Sequence, residues 1–288
     1  MSILAATQKR LFPPTLIHRS EGQRKREVDK DQRFSALYER LDQLPVSLSS
    51  RYHHFGLVFE NLSYRDEDGH MVLAGLNMTI EQGKKYLLLG TEESGNAELL
   101  KILSHQIQEY DGNVYVGHQN LKELQGKSLE RILAFIHKNI FVLNDTIYRN
   151  IALHPHYDEK KVRESMRRVG LNERPEANTT DIALNRGFYS ANERQKISIA
   201  RALVNNSSIL ILDSTSDCTK DCEVEELILN IRDMTVLSVS HILSKELVDR
   251  YDKIFVLDEG RVVEEGSFSD LLLQGGHFYS MYVRNEAI

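Results

Sequence analysis

The chain has 288 residues, of which 41% are hydrophobic, and a formal net charge of −6 at pH 7. This length fits one large domain with an appendage or two small domains, and the hydrophobic share is ordinary for a globular protein. The mildly negative charge argues against nucleic acid as a partner. No apolar run reaches the roughly 18 residues that a transmembrane helix needs. The two cysteines, Cys218 and Cys222, lack the second pair that a zinc site requires, so we expect reduced thiols.

Residues 1–50 differ in pattern from the rest of the chain. Residues 1–33 are polar and of mixed charge, which predicts an arm that is mobile or takes its structure from a partner. Residues 31–45 place apolar side chains at helical spacing and end at a proline, which predicts a short amphipathic helix. The apolar side chains are Phe34, Leu37, Leu41 and Leu44. This helix either joins the domain to something upstream or docks on the domain's own surface. We therefore predict an arm and linker helix over 1–50 and one domain over 51–288.

From residue 51 onward, apolar strands alternate with helices. The predicted strands cover 55–64, 71–80, 84–90, 113–117, 132–136, 208–213, 235–240 and, with an Asp-Glu-Gly turn inside it, 253–266. The predicted helices cover about 96–108, 158–169 and 191–204. Buried strands that alternate with helices predict an α/β domain with a parallel sheet.

The segment 87–103 has the layout of a phosphate-binding loop without its chemistry. An apolar strand runs into Gly90, a short turn follows, and a helix begins near Asn96. Such a loop binds phosphate through backbone N–H groups, a helix N-terminus and a lysine. Here the turn carries Glu92 and Glu93, whose carboxylates suit the positive end of a helix dipole. We expect them to cap the helix start in place of a phosphate.

Two further segments follow in the order typical of a nucleotide-handling domain. A helix begins after residues 189–193, and a strand ends in Asp213 about 25 residues before a second strand ends at His241. Together with the glycine turn, these segments resemble the nucleotide-binding (ATPase) domain of ABC transporters of the exporter type, over about residues 55–283. The resemblance implies a P-loop NTPase-like α/β fold, with a parallel-sheet core, an antiparallel β lobe and a helical lobe.

The resemblance also assigns roles to positions in the loop, and several of them are substituted. Gly90, Ser94 and Gly95 stand at positions of the family's P-loop. Asn96 replaces the lysine that contacts the β- and γ-phosphates, and Ala97 replaces the hydroxyl that holds Mg²⁺. These losses, with the added carboxylates, weaken nucleotide binding by about 4–6 kcal/mol.

Outside the loop, the same resemblance marks six positions of the family's ATP site. Three of these positions differ from the family or lie beside a substitution. Lys138 replaces the Q-loop glutamine, and Ser214 replaces the catalytic carboxylate. Tyr64 lies two residues before Asp66, which stands at the position of the adenine-stacking aromatic. Three retain the family's residue: Ser190 of the signature, Asp213 at the strand end, and the switch histidine His241. A serine cannot replace a general base, which is worth about 10²–10⁴ in rate. We expect His241 to be retained without use.

The leading hypothesis is a non-catalytic pseudo-ATPase that acts as an interaction or regulatory partner of an export system, with no cofactor. The alternative is an active or weakly active ATPase subunit of an exporter of a peptide or small molecule, with ATP and Mg²⁺ as cofactors and Lys138 as a substitute cation. A third possibility is a split-off half of an exporter whose membrane part is encoded separately. The implied partners are a membrane-spanning transporter subunit or another ABC nucleotide-binding domain, in a homo- or heterodimer. The implied location is the cytoplasm, at the inner face of the membrane through a partner. We expect no metal site, because His53-His54 and the histidines at 154 and 156 lack a third ligand.

Overall fold

A computed structural model describes residues 55–284, apart from 125–126, 138–139, 144, 154–157, 173–188, 215–221 and 233. The predicted arm and linker helix over 1–50 lie outside the described residues. The same holds for Lys138, Cys218 and the histidines at 53, 54, 154 and 156.

The described residues form strands and helices in the predicted alternation. The strands are β1 (Phe55–Arg65), β2 (Met71–Glu81), β3 (Lys85–Gly90), β4 (Asp111–Val116), β5 (Gln119–Asn120), β6 (Leu133–Ile136), β7 (Ile209–Ser214), β8 (Thr235–Ser240), β9 (Lys253–Asp258) and β10 (Arg261–Gly266). The helices are α1 (Asn96–Leu103), α2 (Lys127–Ile132), α3 (Ile147–Ile151), α4 (Glu159–Arg168), α5 (Ala191–Asn205), α6 (Glu223–Asn230), α7 (Phe268–Gln274) and α8 (His277–Arg284). Within these ranges, no helix is both long and apolar enough to span a bilayer.

Two sheets organise the described part of the chain. The first is antiparallel, with the strand order β2-β1-β4-β5. The second has the order β10-β9-β3-β8-β7-β6, in which only the β9–β10 pair is antiparallel. Every residue of β3 and of β8 is buried, as expected for central strands of a parallel sheet that is covered on both faces. The predicted antiparallel lobe and parallel-sheet core are therefore confirmed.

The parallel sheet separates two hydrophobic clusters. Along β7, Ile209 and Ile211 pack in a cluster with the antiparallel sheet and α1, whereas Leu210 and Leu212 pack in a cluster with α3, α4 and α5. This alternation follows from the two-residue period of a strand, whose side chains point to opposite faces. The second cluster is the core of the predicted helical lobe, which is also confirmed.

Helix α1 is shorter than its predicted span of 96–108. It ends at Leu103, and His105 adopts a left-handed backbone conformation with φ of 61°. The His105 Nε2–H donates to the carbonyl oxygen of Leu121 at 2.8 Å, which holds the chain after the helix against the turn that follows β5. The long-range hydrogen bond therefore overrides the helical pattern of residues 104–108.

Candidate functional site

The carboxyl ends of four parallel strands bring the predicted site residues to one edge of the second sheet. In the strand register, Leu89 lies beside Ser240, Ser214 beside Ser240, and Ile136 beside Leu212. The residues at these ends are Gly90, His137, Asp213, Ser214 and His241. Ligands of open α/β sheets bind at this edge.

The loop after β3 is a tight turn that is held by its own hydrogen bonds. The Ser94 hydroxyl donates to the carbonyl oxygen of Thr91 at 2.7 Å, and the N–H of Gly260 donates to the carbonyl oxygen of Ser94 at 3.1 Å. A Cβ at Gly90 would lie 2.3 Å from the Ser94 hydroxyl, and Gly95 has a φ of 96°. Both retained glycines are thus required by the geometry of the loop itself.

The expected capping of α1 by the loop glutamates is wrong. The N-cap residue is Gly95, which has no side chain to accept from the first turn. Glu92 and Glu93 are both exposed, and Glu98 pairs with Lys101 at 3.3 Å instead. The first N–H groups of α1 therefore lack a side-chain cap.

Asn96 is a buried polar side chain without a partner at the position of the family's lysine. It is 0% exposed, and neither its Oδ1 nor its Nδ2 has a hydrogen-bond partner in the described part of the chain. A buried amide left unpaired costs about 1–3 kcal/mol. The first residue of α1 is thus a neutral polar group that solvent does not reach.

His241 has a structural contact that the sequence did not predict. Its Nδ1 lies 2.9 Å from the carbonyl oxygen of Gly90, at the start of the loop. A carbonyl oxygen can only accept, so Nδ1 carries the hydrogen, and Nε2 of the neutral ring is an acceptor. This bond ties the end of β8 to the end of β3. The expectation that His241 is retained without use toward a γ-phosphate stays a prediction.

His137 is a site residue that the sequence reasoning missed. Its Nδ1 donates to Oδ2 of Asp213 at 3.1 Å, and the two side chains are 42% and 19% exposed. The signal was available, because His137 directly follows β6, and the ends of neighbouring parallel strands meet. Lys138, the predicted site residue beside it, lies outside the described residues.

The signature segment caps its own helix. The hydroxyl of Ser190 accepts from the N–H of Glu193 at 3.2 Å, and the Glu193 carboxylate accepts from the N–H of Ser190 at 2.8 Å. This reciprocal capping box satisfies the start of α5 within the chain. Asn192 donates to the Glu223 carboxylate at 3.2 Å, and Lys196 pairs with the same carboxylate. Tyr64, two residues before the family's adenine-stacking position at Asp66, is half-buried against the first hydrophobic cluster. A stacking role for Tyr64, which requires a slip of that register, stays a prediction.

The segment after β6 is fixed by one buried asparagine. The Asn150 amide donates to the carbonyl oxygens of Leu143, Asp145 and Thr146 at 2.9, 3.1 and 3.0 Å. Its Oδ1 accepts from the N–H of Leu143 at 2.6 Å. Because all four bonds reach the backbone, this single side chain fixes the conformation of the segment.

The same segment carries exposed apolar side chains. Phe141 is 76% exposed and Leu153 is 55% exposed, although Arg201 holds the backbone of this region through the carbonyl oxygens of Phe141 and Asn150 at 2.9 and 2.8 Å. Large apolar side chains that are exposed on a fixed backbone are typical of a surface that a partner covers.

Comparison with known proteins assigns the family. A family model described as "ABC transporter" matches residues 73–217, which is half of the chain. "Transport/processing ATP-binding protein ComA" of Streptococcus pneumoniae is 28% identical over 242 residues, which is 80% of this chain and 33% of that protein. The "ATP-dependent lipid A-core flippase" of Francisella tularensis is 32% identical over 223 residues, 74% of this chain and 36% of that protein.

A solved structure gives the same answer for the fold. The ATP-bound structure of a bacterial Atm1-family ABC exporter aligns with a TM-score of 0.66 and 26% identity, and covers 81% of this chain and 42% of that one. The chain spans about a third of the length of the two curated relatives. The matched residues 73–217 include the loop after β3, His137 and Asp213. The chain therefore belongs to the ABC transporter family.

Proposed function

We propose that this chain is a degenerate ATP-binding subunit of an export system, a pseudo-ATPase that acts as an interaction or regulatory partner. The observation that carries the proposal is Asn96. A fully buried, neutral and unpaired amide stands at the lysine position, and no hydroxyl follows it at Ala97. The loop has kept its shape, but it has lost the cation that the family uses for phosphate.

The charges around the loop oppose a triphosphate. Glu92 and Glu93 are exposed on the turn, and Glu98 lies in the first turn of α1. Loss of a charged hydrogen-bond partner costs about 1.5–3 kcal/mol. Together with the loss of the hydroxyl and the added carboxylates, the cost reaches about 4–6 kcal/mol, which is about a thousand- to ten-thousand-fold in affinity.

The groups that would hydrolyse ATP are also missing or engaged. Ser214 stands where the family has a catalytic carboxylate, and a hydroxyl is not an equivalent general base. The Ser190 hydroxyl and the Glu193 carboxylate are used to cap α5. A second subunit with an intact loop would therefore meet a signature segment whose hydrogen-bonding side chains are already engaged within this chain.

The proposed partner is a membrane-spanning transporter subunit or another ABC nucleotide-binding domain, in a homo- or heterodimer. The relatives are named for transport and for lipid A-core flipping, and the structural neighbour is an exporter. Phe141 and Leu153 present apolar surface in the region that Arg201 holds. We place the chain in the cytoplasm, at the inner face of the membrane through this partner, with the family domain over 51–288.

One observation favours the alternative of an active or weakly active ATPase subunit that uses ATP and Mg²⁺. Helix α1 lacks a side-chain cap, so its first N–H groups could still meet a phosphate. In this reading Lys138 supplies the missing cation. Lys138→Ala would then abolish stabilisation by nucleotide.

A thermal melt and an isothermal titration of the full chain with Mg-ATP test the proposal. Ligand at a hundredfold excess over its dissociation constant adds about 2.7 kcal/mol to the free energy of unfolding. We expect no such shift at millimolar ATP and no release of phosphate. Micromolar binding with measurable turnover would rule the proposal out in favour of the alternative.

The partner surface makes a separate prediction. Phe141→Glu replaces a 76% exposed apolar side chain with a charged one. We expect this change to reduce co-purification with a co-expressed membrane-spanning exporter subunit by at least about tenfold, because desolvating an unpaired charge costs more than 1.4 kcal/mol. The matched control is Leu273→Glu, since Leu273 on α7 is 87% exposed and lies far along the chain. If both variants lose co-purification to the same extent, or if neither variant loses it, the assigned surface is wrong.

A further inference from the structure

The ABC family holds Mg²⁺ with a loop hydroxyl and with the aspartate at the end of the strand that here is β7. Mg²⁺ requires near-octahedral oxygen ligands and binds through carboxylates, hydroxyls, water and substrate phosphates. In this chain the loop hydroxyl is absent, because the residue is Ala97. The fit of the site to Mg²⁺ therefore depends on Asp213.

Asp213 already has an internal partner. The Nδ1–H of His137 lies 3.1 Å from Asp213 Oδ2, which is hydrogen-bond distance to a carboxylate oxygen that the family reserves for the metal shell. Hydrogen bonds to a carboxylate are among the stronger ones in proteins. A cation that approached this oxygen would have to displace the imidazole.

The position of His137 is fixed by the sheet. Its ring stacks on the ring of Phe135, with centroids 5.8 Å apart and planes within 5° of parallel. The strands that carry the pair are hydrogen-bonded neighbours, with Ile136 beside Leu212. The pair is thus preorganised by elements of the core rather than by a loop.

Among the described residues, no further carboxylate or imidazole completes a three-residue metal set with Asp213. Three ligand atoms of His, Cys, Asp or Glu converge in those residues only at Asp66, Asp68 and His70, on the turn between β1 and β2. With Ala97 in place of the loop hydroxyl and Asp213 bonded to His137, the described residues at the site edge do not supply the oxygen ligands that Mg²⁺ requires.

We infer that His137 takes the place of magnesium beside Asp213, so that any nucleotide bound at this site binds independently of Mg²⁺. The inference rests on the proposed function in treating the loop as degenerate. It goes further because it assigns a role to His137 and predicts which ligand form the site accepts. Nucleotide without metal is the only form whose binding leaves the His137–Asp213 pair intact.

The test restores the loop and asks whether His137 still excludes the metal. The double variant Asn96→Lys with Ala97→Ser returns the lysine and the hydroxyl, and a triple variant adds His137→Ala. ATP is titrated into each with and without millimolar Mg²⁺. We expect Mg²⁺ to change the ATP affinity less than about twofold in the double variant and at least about tenfold in the triple variant. A tenfold change corresponds to about one charge-assisted contact. Equal magnesium-dependent gains in both would overturn the inference.

The matched control replaces another histidine of a histidine–aspartate pair. His70 Nδ1 lies 3.3 Å from Asp66 Oδ2 on the β1–β2 turn, outside the ends of the parallel strands. His70→Ala in the double variant should leave the ratio of affinities with and without Mg²⁺ unchanged. A rise in that ratio equal to the rise for His137→Ala would contradict the assigned role.

A measurement on the unmodified chain keeps the inference testable if the restored loop does not fold. Mn²⁺ serves as a spectroscopic probe, with ATP present, in the wild-type chain and in Asp213→Asn. We expect the same amount of Mn²⁺ held by both, and a loss confined to Asp213→Asn would overturn the inference. The two proposals fail separately: a wild-type chain that binds and hydrolyses ATP equally with and without Mg²⁺ contradicts the pseudo-ATPase and supports the role of His137.

Discussion

Two asparagines with identical burial have opposite environments. Asn96 and Asn150 are both 0% exposed. Asn96 has no partner for either polar atom, whereas Asn150 makes four hydrogen bonds to backbone groups. Because the two side chains are equally buried, a comparison of the stability changes caused by substitution at the two positions isolates the energetic cost of an unsatisfied amide.

Replacement of Asn96 by leucine is therefore expected to stabilise the protein. Leucine has a similar size and no polar atoms, so the substitution removes a desolvation penalty of about 1–3 kcal/mol. The free energy of unfolding from urea titration should rise by that amount, with an unchanged m-value. Most core substitutions destabilise, so a rise would be a specific signature of the unpaired amide.

Asn150→Leu is the matched control for this prediction. It leaves the Leu143 N–H without its acceptor and removes one of two donors from each of three backbone carbonyls, which should lower the free energy of unfolding by about 2–4 kcal/mol. If both variants shift stability in the same direction, the assignment of Asn96 as unpaired is wrong.

The sequence predicted the residues of the site more completely than it predicted the contacts that these residues make. The substitutions at Asn96 and Ala97 could be read from fixed spacing within one motif. The bond of His137 to Asp213 joins residues 76 positions apart, and that of His241 to Gly90 joins residues 151 positions apart. Such contacts depend on strand order and register, which spacing along the chain does not encode.

At the scale of elements, the first turn of α6 carries a half-buried acid that contacts a buried phenol. Tyr251 donates its hydroxyl hydrogen to Oε1 of Glu225 at 2.6 Å. Burial raises the pKa of Glu225, and the Tyr251 hydrogen bond opposes this rise. Burial and the neighbouring Glu225 also raise the pKa of Tyr251 well above its usual value. The pair therefore favours protonated states of both groups.

The raised pKa of Glu225 predicts how stability depends on pH. An acid whose pKa is higher in the folded state contributes stability that is fully present below its unfolded value and lost as pH rises through the folded one. Starting from the ordinary pKa of 4.5, stability should fall as pH rises above that value. Glu225→Gln should flatten this part of the curve of unfolding free energy against pH. Glu226→Gln, on the exposed side of the same turn, is the control and should leave the curve unchanged.

The elements themselves were largely predictable, and the reason is visible in β3 and β8. Central parallel strands are buried on both faces, so their sequences are short runs rich in apolar residues that stand out from the helices. The end of α1 was not predictable in this way. The left-handed conformation of His105 and its bond to Leu121 depend on a distant turn.

At the scale of the whole molecule, the described elements form a self-consistent domain. Alternate residues of β7 face two different hydrophobic clusters, and those of β3 do the same, with Tyr86 and Leu88 on one face and Leu87 and Leu89 on the other. Both sheets and these clusters lie within 55–284. We therefore predict that this core folds without the residues before 51.

A fragment of residues 51–288 should therefore unfold as the full chain does. Its free energy of unfolding should lie within about 1 kcal/mol of the full-length value, which is small beside the 5–15 kcal/mol of a typical domain. The urea m-value should also be unchanged, because it scales with the surface that unfolding exposes. A fragment of residues 66–288 is the control, since it lacks β1, which pairs with both β2 and β4 and should be required for folding. A lower m-value for 51–288 would show that residues 1–50 are part of the cooperative unit, against the proposed boundary.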